Sequence, residues 1–149
     1  MESKFKWQLV FLLLAASCSQ LSKHSEDPKS EEEAIRNVLD AEQIAWNNGD
    51  LEAFMKGYWK SDSLEFISFR GISRGWEATL AGYKKGYPDR AAMGTLSYEI
   101  LKITQLAPLN YVVSAKFHLT RSSGDLDGII TLIFQRIEGR WVAVYDHTS

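Results

Sequence analysis

The chain has one cysteine in 149 residues, no cluster of basic residues and no apolar run long enough to cross a bilayer. Each shortage excludes something. A lone thiol has no partner for an intrachain disulfide. Lysine and arginine number 17 against 19 aspartates and glutamates, without a basic stretch, so the chain offers no electrostatic footprint for nucleic acid. The unbroken apolar run Leu9 to Ala16 is eight residues long, where a spanning helix needs about 20. The three histidines and the cysteine show no metal-site spacing, and "DLDG" (Asp125 to Gly128) lacks the remaining ligands of a calcium loop. There is no glycine-rich phosphate loop and no nucleophile elbow. No metal and no cofactor is therefore expected.

The N-terminal segment has a different logic. Lys4 and Lys6 precede the apolar run, which closes on the small residues Ala15, Ala16 and then Ser17, the order of a secretory signal. Cys18 comes next. "AASC" resembles a bacterial lipobox, although Ala15 stands where leucine is usual. That resemblance implies acylation of Cys18, attachment to the membrane by the lipid alone, and an outer-membrane address because Ser19 follows the cysteine. The expected division is 1–17 as signal, 18–30 as tether and 31–149 as one folded domain. "SQLSKHSEDPKS" is polar, contains Pro28 and has no apolar period, as a tether should. The remaining length suffices for one core.

In "SEEEAIRNVLDAEQIAWNNGD", Ser30 and Glu33 have the spacing of a capping box. Ile35, Val38, Leu39, Ala45 and Trp46 recur at helical spacing. Asn47, Asn48 and Gly49 end the helix, and Asp50 caps a shorter one through about Tyr58. The period then changes to two. "SLEFISF" and "GISRG" predict short strands around Arg70-Gly71, and "GWEATLAGYKKGY" predicts a third helix with Trp76, Leu80, Tyr83 and Tyr87 on one face. "TLSYEILKITQL", "NYVVSAKFHLTR", "GIITLIFQRI" and "RWVAVYDHTS" predict four longer strands, with "SSGD" and "EG" as hairpin turns. Helices first and antiparallel strands after them indicate an α+β domain.

"AWNNGDLEAFMKGYW", the "GW" that opens the third helix and the terminal "RWVAVYDHTS" resemble the nuclear transport factor 2-like superfamily, nearest its SnoaL-like branch, from Glu31 to Ser149. The resemblance implies a cone: a curved antiparallel or mixed sheet wrapped around a long N-terminal helix with two further helices, and an apolar pocket at the wide end. The superfamily holds ketosteroid isomerase, polyketide cyclases, dehydratases and members with no catalysis, so the fold alone does not choose an activity.

Two carboxylates are candidates for chemistry. Glu42 lies four residues after Val38 and four before Trp46, inside the apolar stripe. A carboxylate there must find a partner, take a proton or face a cavity. It falls at the position that resembles the oxyanion-binding tyrosine of ketosteroid isomerase; a structural bond to a nearby strand is the competing reading. The isomerase's basic aspartate corresponds to Phe66 or Ile67, neither of which moves a proton. Asp146 shares a strand face with Val142 and Val144 by simple alternation, so it faces the interior if the valines do. It is then expected to supply a base from the opposite wall, while His147 and His118 face outward. Tyr58, Trp59, Trp76, Tyr83 and Tyr87 belong to elements that surround the pocket mouth in this fold, and are the expected ligand contacts. Trp46 and Trp141 are expected in the core.

Two functions follow. One is an envelope lipoprotein that binds a small apolar or aromatic molecule, with acid–base chemistry of the isomerase, cyclase or dehydratase kind. The other is a non-catalytic dimerisation or scaffolding module. "GIITLIFQRI" is apolar on both faces, Ile130, Leu132 and Phe134 on one and Ile129, Ile133 and Ile137 on the other, which predicts a homodimer packed through the sheet's outer face. The lipobox is tested by Cys18→Ala, which should release or mis-process the protein. Unchanged membrane fractionation and mature mass would exclude acylation.

Overall fold

The computed structural model describes residues 27–149. The signal, Cys18 and residues 19–26 of the tether lie outside the described residues. The first helix, α1 (Pro28–Asn47), begins earlier than Ser30. Asp27 caps it by accepting from the Lys29 backbone N–H at 3.2 Å, and Pro28 occupies the first turn, where a missing N–H costs nothing. The expected Ser30–Glu33 capping box does not form. Ser30 is already helical, and its hydroxyl donates to the Asp27 carbonyl at 2.8 Å.

The early start turns Glu31 inward. Its buried carboxylate accepts from the Arg136 guanidinium at 2.9 Å and from the Trp141 indole N–H. At the other end of α1, the Asn47 amide accepts from Leu96 N at 2.7 Å and donates to Leu96 O at 2.9 Å, while Gln43 accepts from Tyr98 N at 2.9 Å. Between these ties Ile35, Leu39 and Trp46 bury against the sheet.

Asp50 caps α2 (Leu51–Phe54) by accepting from Ala53 N at 2.8 Å, and a 3-10 turn, Met55–Gly57, continues it. The third helix, α3 (Trp76–Gly86), matches its sequence signal. A fourth, α4 (Arg90–Met93), goes beyond the two further helices expected after α1. Asp89 caps it, and Arg90 reaches back to the Trp46 carbonyl at 2.8 Å, a second bond to an oxygen that also accepts from Gly49 N at 2.8 Å.

The strands are β1 (Glu65–Ser68), β2 (Gly71–Arg74), β3 (Thr95–Ala107), β4 (Asn110–Thr120), β5 (Leu126–Ile137) and β6 (Arg140–Thr148). They form one mixed sheet in the order β2-β1-β6-β5-β4-β3, with β1 parallel to β6 and every other pair antiparallel. β3 is an edge strand, and the Gln43 and Asn47 bonds use backbone groups that an edge leaves unpaired. Glu138 and Gly139 join β5 to β6, both with positive φ (50° and 77°), as a two-residue type I′ turn requires.

The inner face carries Tyr111, Val113, Ala115 and Leu119 from β4 and Ile130, Leu132 and Phe134 from β5, all buried. The alternation that places His118 outside therefore holds. It fails on β6. Ile133 pairs with Tyr145, but Phe134 pairs with Ala143, so Val144 is an extra residue. This β-bulge resets the alternation. Ala143 lies on the inner face before it and Asp146 after it, because their partners Phe134 and Leu132 do, and Trp141 shares the inner face two residues before Ala143. Asp146 is thus inward, but not on a face shared with Val142 and Val144.

Candidate functional site

Between α3, the β1–β2 hairpin and the concave face of the sheet lies a cavity of about 620 Å³. Its walls are mostly aromatic. Trp46 packs edge to face on Phe54, Tyr83 and Tyr87, with centroid separations from 4.8 Å (Trp46–Tyr87) to 6.0 Å (Trp46–Tyr83); Phe54 and Phe66 meet Tyr83 the same way at 5.2 and 5.5 Å, and Tyr83 stacks on Tyr87 at 6.2 Å. Such T-shaped contacts hold each ring by its neighbours, so the wall is shaped before any ligand arrives. α3 contributes Thr79, Gly82, Tyr83 and Gly86, one row at helical spacing. Two glycines in that row keep the cavity open.

At the inner end lies Asp146, 2 % exposed. The Tyr58 hydroxyl donates to its Oδ2 at 2.7 Å and the Thr148 hydroxyl to its Oδ1 at 2.8 Å. Burial raises the carboxyl from 3.8 to about 6, against the opposing pull of the Tyr58 and Thr148 bonds and of His147. Burial, then the Asp146 charge, raises Tyr58 and Tyr83 well above the ordinary phenol range; Tyr98 rises through burial and then the Glu42 charge. These phenols stay protonated donors.

Phe66 of β1 is the register neighbour of Asp146 on β6. The residue at the isomerase base position is therefore apolar, and the carboxylate stands on the adjacent strand at the same level. This replaces the expectation of a base on the opposite wall.

Glu42 is 2 % exposed but does not line the cavity. Its carboxyl packs on Gly57, where a Cβ would stand 1.8 Å from Oε1, so only glycine leaves room for it. Neither of its oxygens has a hydrogen-bond partner among the described residues. Burial first, and the Asp146 charge second, hold the group well above the usual carboxylate range. Glu42 is thus a buried neighbour of the site, not a wall of it.

Of the five expected ligand contacts, Tyr58, Tyr83 and Tyr87 line the cavity and Trp59 and Trp76 do not. The Trp59 backbone N–H donates to Ala143 O at 2.9 Å. The Trp76 indole donates to Met55 O at 2.8 Å, and the Lys60 ammonium lies 4.8 Å above its ring. Trp76 stands one turn too near the start of α3, where it pins the 3-10 turn. Tyr98 and Thr148 were not anticipated. Their signal was present: Tyr98 alternates with buried Leu96, and Thr148 with Asp146. Trp46, expected in the core, is buried and also forms part of the wall, whereas Trp141 is core alone. On the outer face His118 bonds Asp127, which raises its pKa.

A one-layer sheet curved over a long helix, with an aromatic cavity at one end, defines a class of cone-shaped domains. Among solved structures, an NTF-2 like protein of unknown function from Shewanella oneidensis superposes with a TM-score of 0.77 at 38 % identity, over 80 % of this chain and 98 % of that one. An NTF2-like protein of unknown function from Pseudomonas putida matches at 0.65 and 17 % identity, over 81 % of this chain and 87 % of that one. A ketosteroid isomerase-like protein from Erwinia carotovora matches at 0.63 and 18 %, over 80 % and 95 %. The last two are similar in fold alone. No protein-family model matches the chain, and no curated protein does. The chain belongs to the nuclear transport factor 2-like superfamily.

The Asp146 environment predicts a pH dependence of stability. Its folded pKa of about 6 lies above the ordinary 3.8, so the stability it contributes is complete below 3.8 and is lost as pH rises through about 6. Glu42, also raised, acts with the same sign. In urea unfolding, the stability of Asp146→Asn relative to wild type should grow by about 1–3 kcal/mol between pH 4 and pH 7. A difference that stays flat across that range would mean that the carboxylate is not desolvated.

Proposed function

We propose that this protein is an envelope lipoprotein whose single domain binds a small apolar or aromatic molecule in the cavity, and that Asp146 exchanges a proton with it. The observation that carries this reading is one buried carboxylate, with two hydroxyl donors, at the inner end of an otherwise aromatic cavity. The volume of about 620 Å³ falls within the usual range for drug-sized ligands, roughly 300–1,000 Å³. A carboxyl that titrates near 6 is half-way between acid and base close to neutral pH, where proton transfer in both directions is efficient. Tyr58 donates its one hydroxyl hydrogen bond to Asp146 and so orients the carboxyl for that transfer. This suits an isomerase, cyclase or dehydratase step next to a carbonyl.

Binding and chemistry are tested separately. The neutral dye N-phenyl-1-naphthylamine should bind with about one site per chain. Gly82 lines the cavity and an added Cβ there would meet nothing within 4 Å, so Gly82→Trp is the variant chosen to obstruct it. That variant should lose at least about tenfold in dye affinity, and unchanged affinity would place the dye elsewhere. For chemistry, α-hydrogen exchange of 2-tetralone in D2O should exceed the buffer rate, follow a base titrating near 6 and disappear in Asp146→Asn. A rate equal to buffer would end the acid–base half of the proposal.

A homodimer is the second reading. Val112, Ile133 and Tyr145 stand side by side across β4, β5 and β6 on the outer face, and Ile129 beyond them is 43 % exposed. An apolar row on a solvated sheet face invites a second copy of itself. Light scattering should give twice the chain mass, reduced to one by Ile133→Lys; a wild-type protein that is monomeric at high concentration would overturn this.

A further inference from the structure

The two ends of the cavity differ in charge. The inner end holds Asp146, already engaged by Tyr58 and Thr148. The outer end is formed by the β1–β2 turn and the last turn of α3, and there Arg70 and Lys85 line it. Elsewhere on the described residues Arg74 is paired with Glu65, Lys84 with Glu52, Lys116 with Glu99 and Arg136 with Glu31. Among the described residues Arg70 and Lys85 enter no ion pair. The remaining acid on the wall, Asp127, is bonded to His118 on the sheet side.

Arg70 is held in place by shape. Its guanidinium lies over Gly86, where a Cβ would come within 2.6 Å of Nη1, and against the Phe69 ring at 5.2 Å. Phe69 and Ile72, 83 % and 55 % exposed, flank it at the same opening. The charge is felt inside the cavity, where Arg70 and then Arg121 lower the Tyr87 phenol against the larger effect of burial. A forked guanidinium with no acid of its own, at the end of an aromatic channel, matches the planar anionic group of a molecule whose body fills the channel.

We infer that the ligand is an amphipathic anion, an aromatic or apolar body that bears one carboxylate, sulfonate or phosphate, and that Arg70, assisted by Lys85, holds this group at the mouth. The inference rests on the proposed binding cavity and names its ligand class. It also fixes the direction of binding: the anionic end stays outside, away from Asp146, and the body presents its reactive carbon to the carboxylate.

Two dyes that share a ring system separate the charge from the cavity. 1-Anilinonaphthalene-8-sulfonate carries a sulfonate; N-phenyl-1-naphthylamine does not. In fluorescence titrations Arg70→Met should weaken the sulfonate dye by about tenfold or more and leave the neutral dye within about twofold. Arg70→Lys should recover part of the loss, and Arg74→Met, outside the cavity, should change neither dye. If Arg70→Met weakens both dyes alike, Arg70 only shapes the mouth and the inference is wrong. It is equally wrong if neither dye responds, in which case Arg70 and Lys85 merely complement the C-terminal end of α3. Binding of the neutral dye to wild type without any Arg70-dependent preference for the sulfonate sinks this inference alone. Failure of both dyes to bind wild type sinks the cavity reading with it.

Discussion

The structure depends on how α1 is held across the concave face of the sheet. A helix with an apolar stripe can slide or rotate on an apolar surface at little cost. Here polar bonds at both ends prevent it. Glu31 is gripped by Arg136 and Trp141 at the start, and Gln43 and Asn47 bond the edge of β3 near the end. A buried carboxylate that loses such partners leaves an uncompensated charge, which costs several kcal/mol, so register is strongly specified. With the helix fixed, Trp46 becomes the hinge of the aromatic wall and Glu42 is carried under the cavity floor, against Gly57.

The site adds a second constraint, one inserted residue. Without Val144 as a bulge, alternation from Trp141 and Ala143 would send Asp146 to the outer face. The bulge delivers a single carboxylate to the interior, beside Phe66, and leaves His147 outside. Bulges near sites commonly re-aim a side chain in this way. The consequence is electrostatic. A desolvated carboxylate with two hydroxyl donors keeps part of its charge near neutral pH, while burial, and after it the Asp146 charge, raises the Glu42 carboxyl behind it well above the usual carboxylate range. The cavity therefore presents one negative group at its floor and two unpaired positive ones at its mouth, separated by rings.

The amino-acid sequence by itself determined the order and kind of the elements. Periodicity, caps and turn residues are local signals, and they marked the helix after Ser30, the change to period two after Tyr58, the four long strands and the "EG" hairpin. They also marked Glu42 as a carboxylate that the core would have to accommodate, while Tyr58, Tyr83 and Tyr87 were implied as cavity residues by the superfamily resemblance. The start of α1 at Pro28 and the short α4 were legible in "DP" and "PDRAAM", since both aspartates are ordinary caps. Tertiary structure alone decided what depends on partners distant in the chain. The pairing of β5 with β6 places the Val144 bulge, and no period within β6 reveals it. The parallel pairing of β1 with β6 sets Asp146 next to Phe66, across a sequence separation that carries no local signal. The Met55 carbonyl claims the Trp76 indole and Gly57 claims the Glu42 carboxyl, which takes both out of the cavity wall. Side-chain direction follows from such long-range contacts, because a buried donor such as the Trp76 indole turns to the acceptor that tertiary packing brings to it.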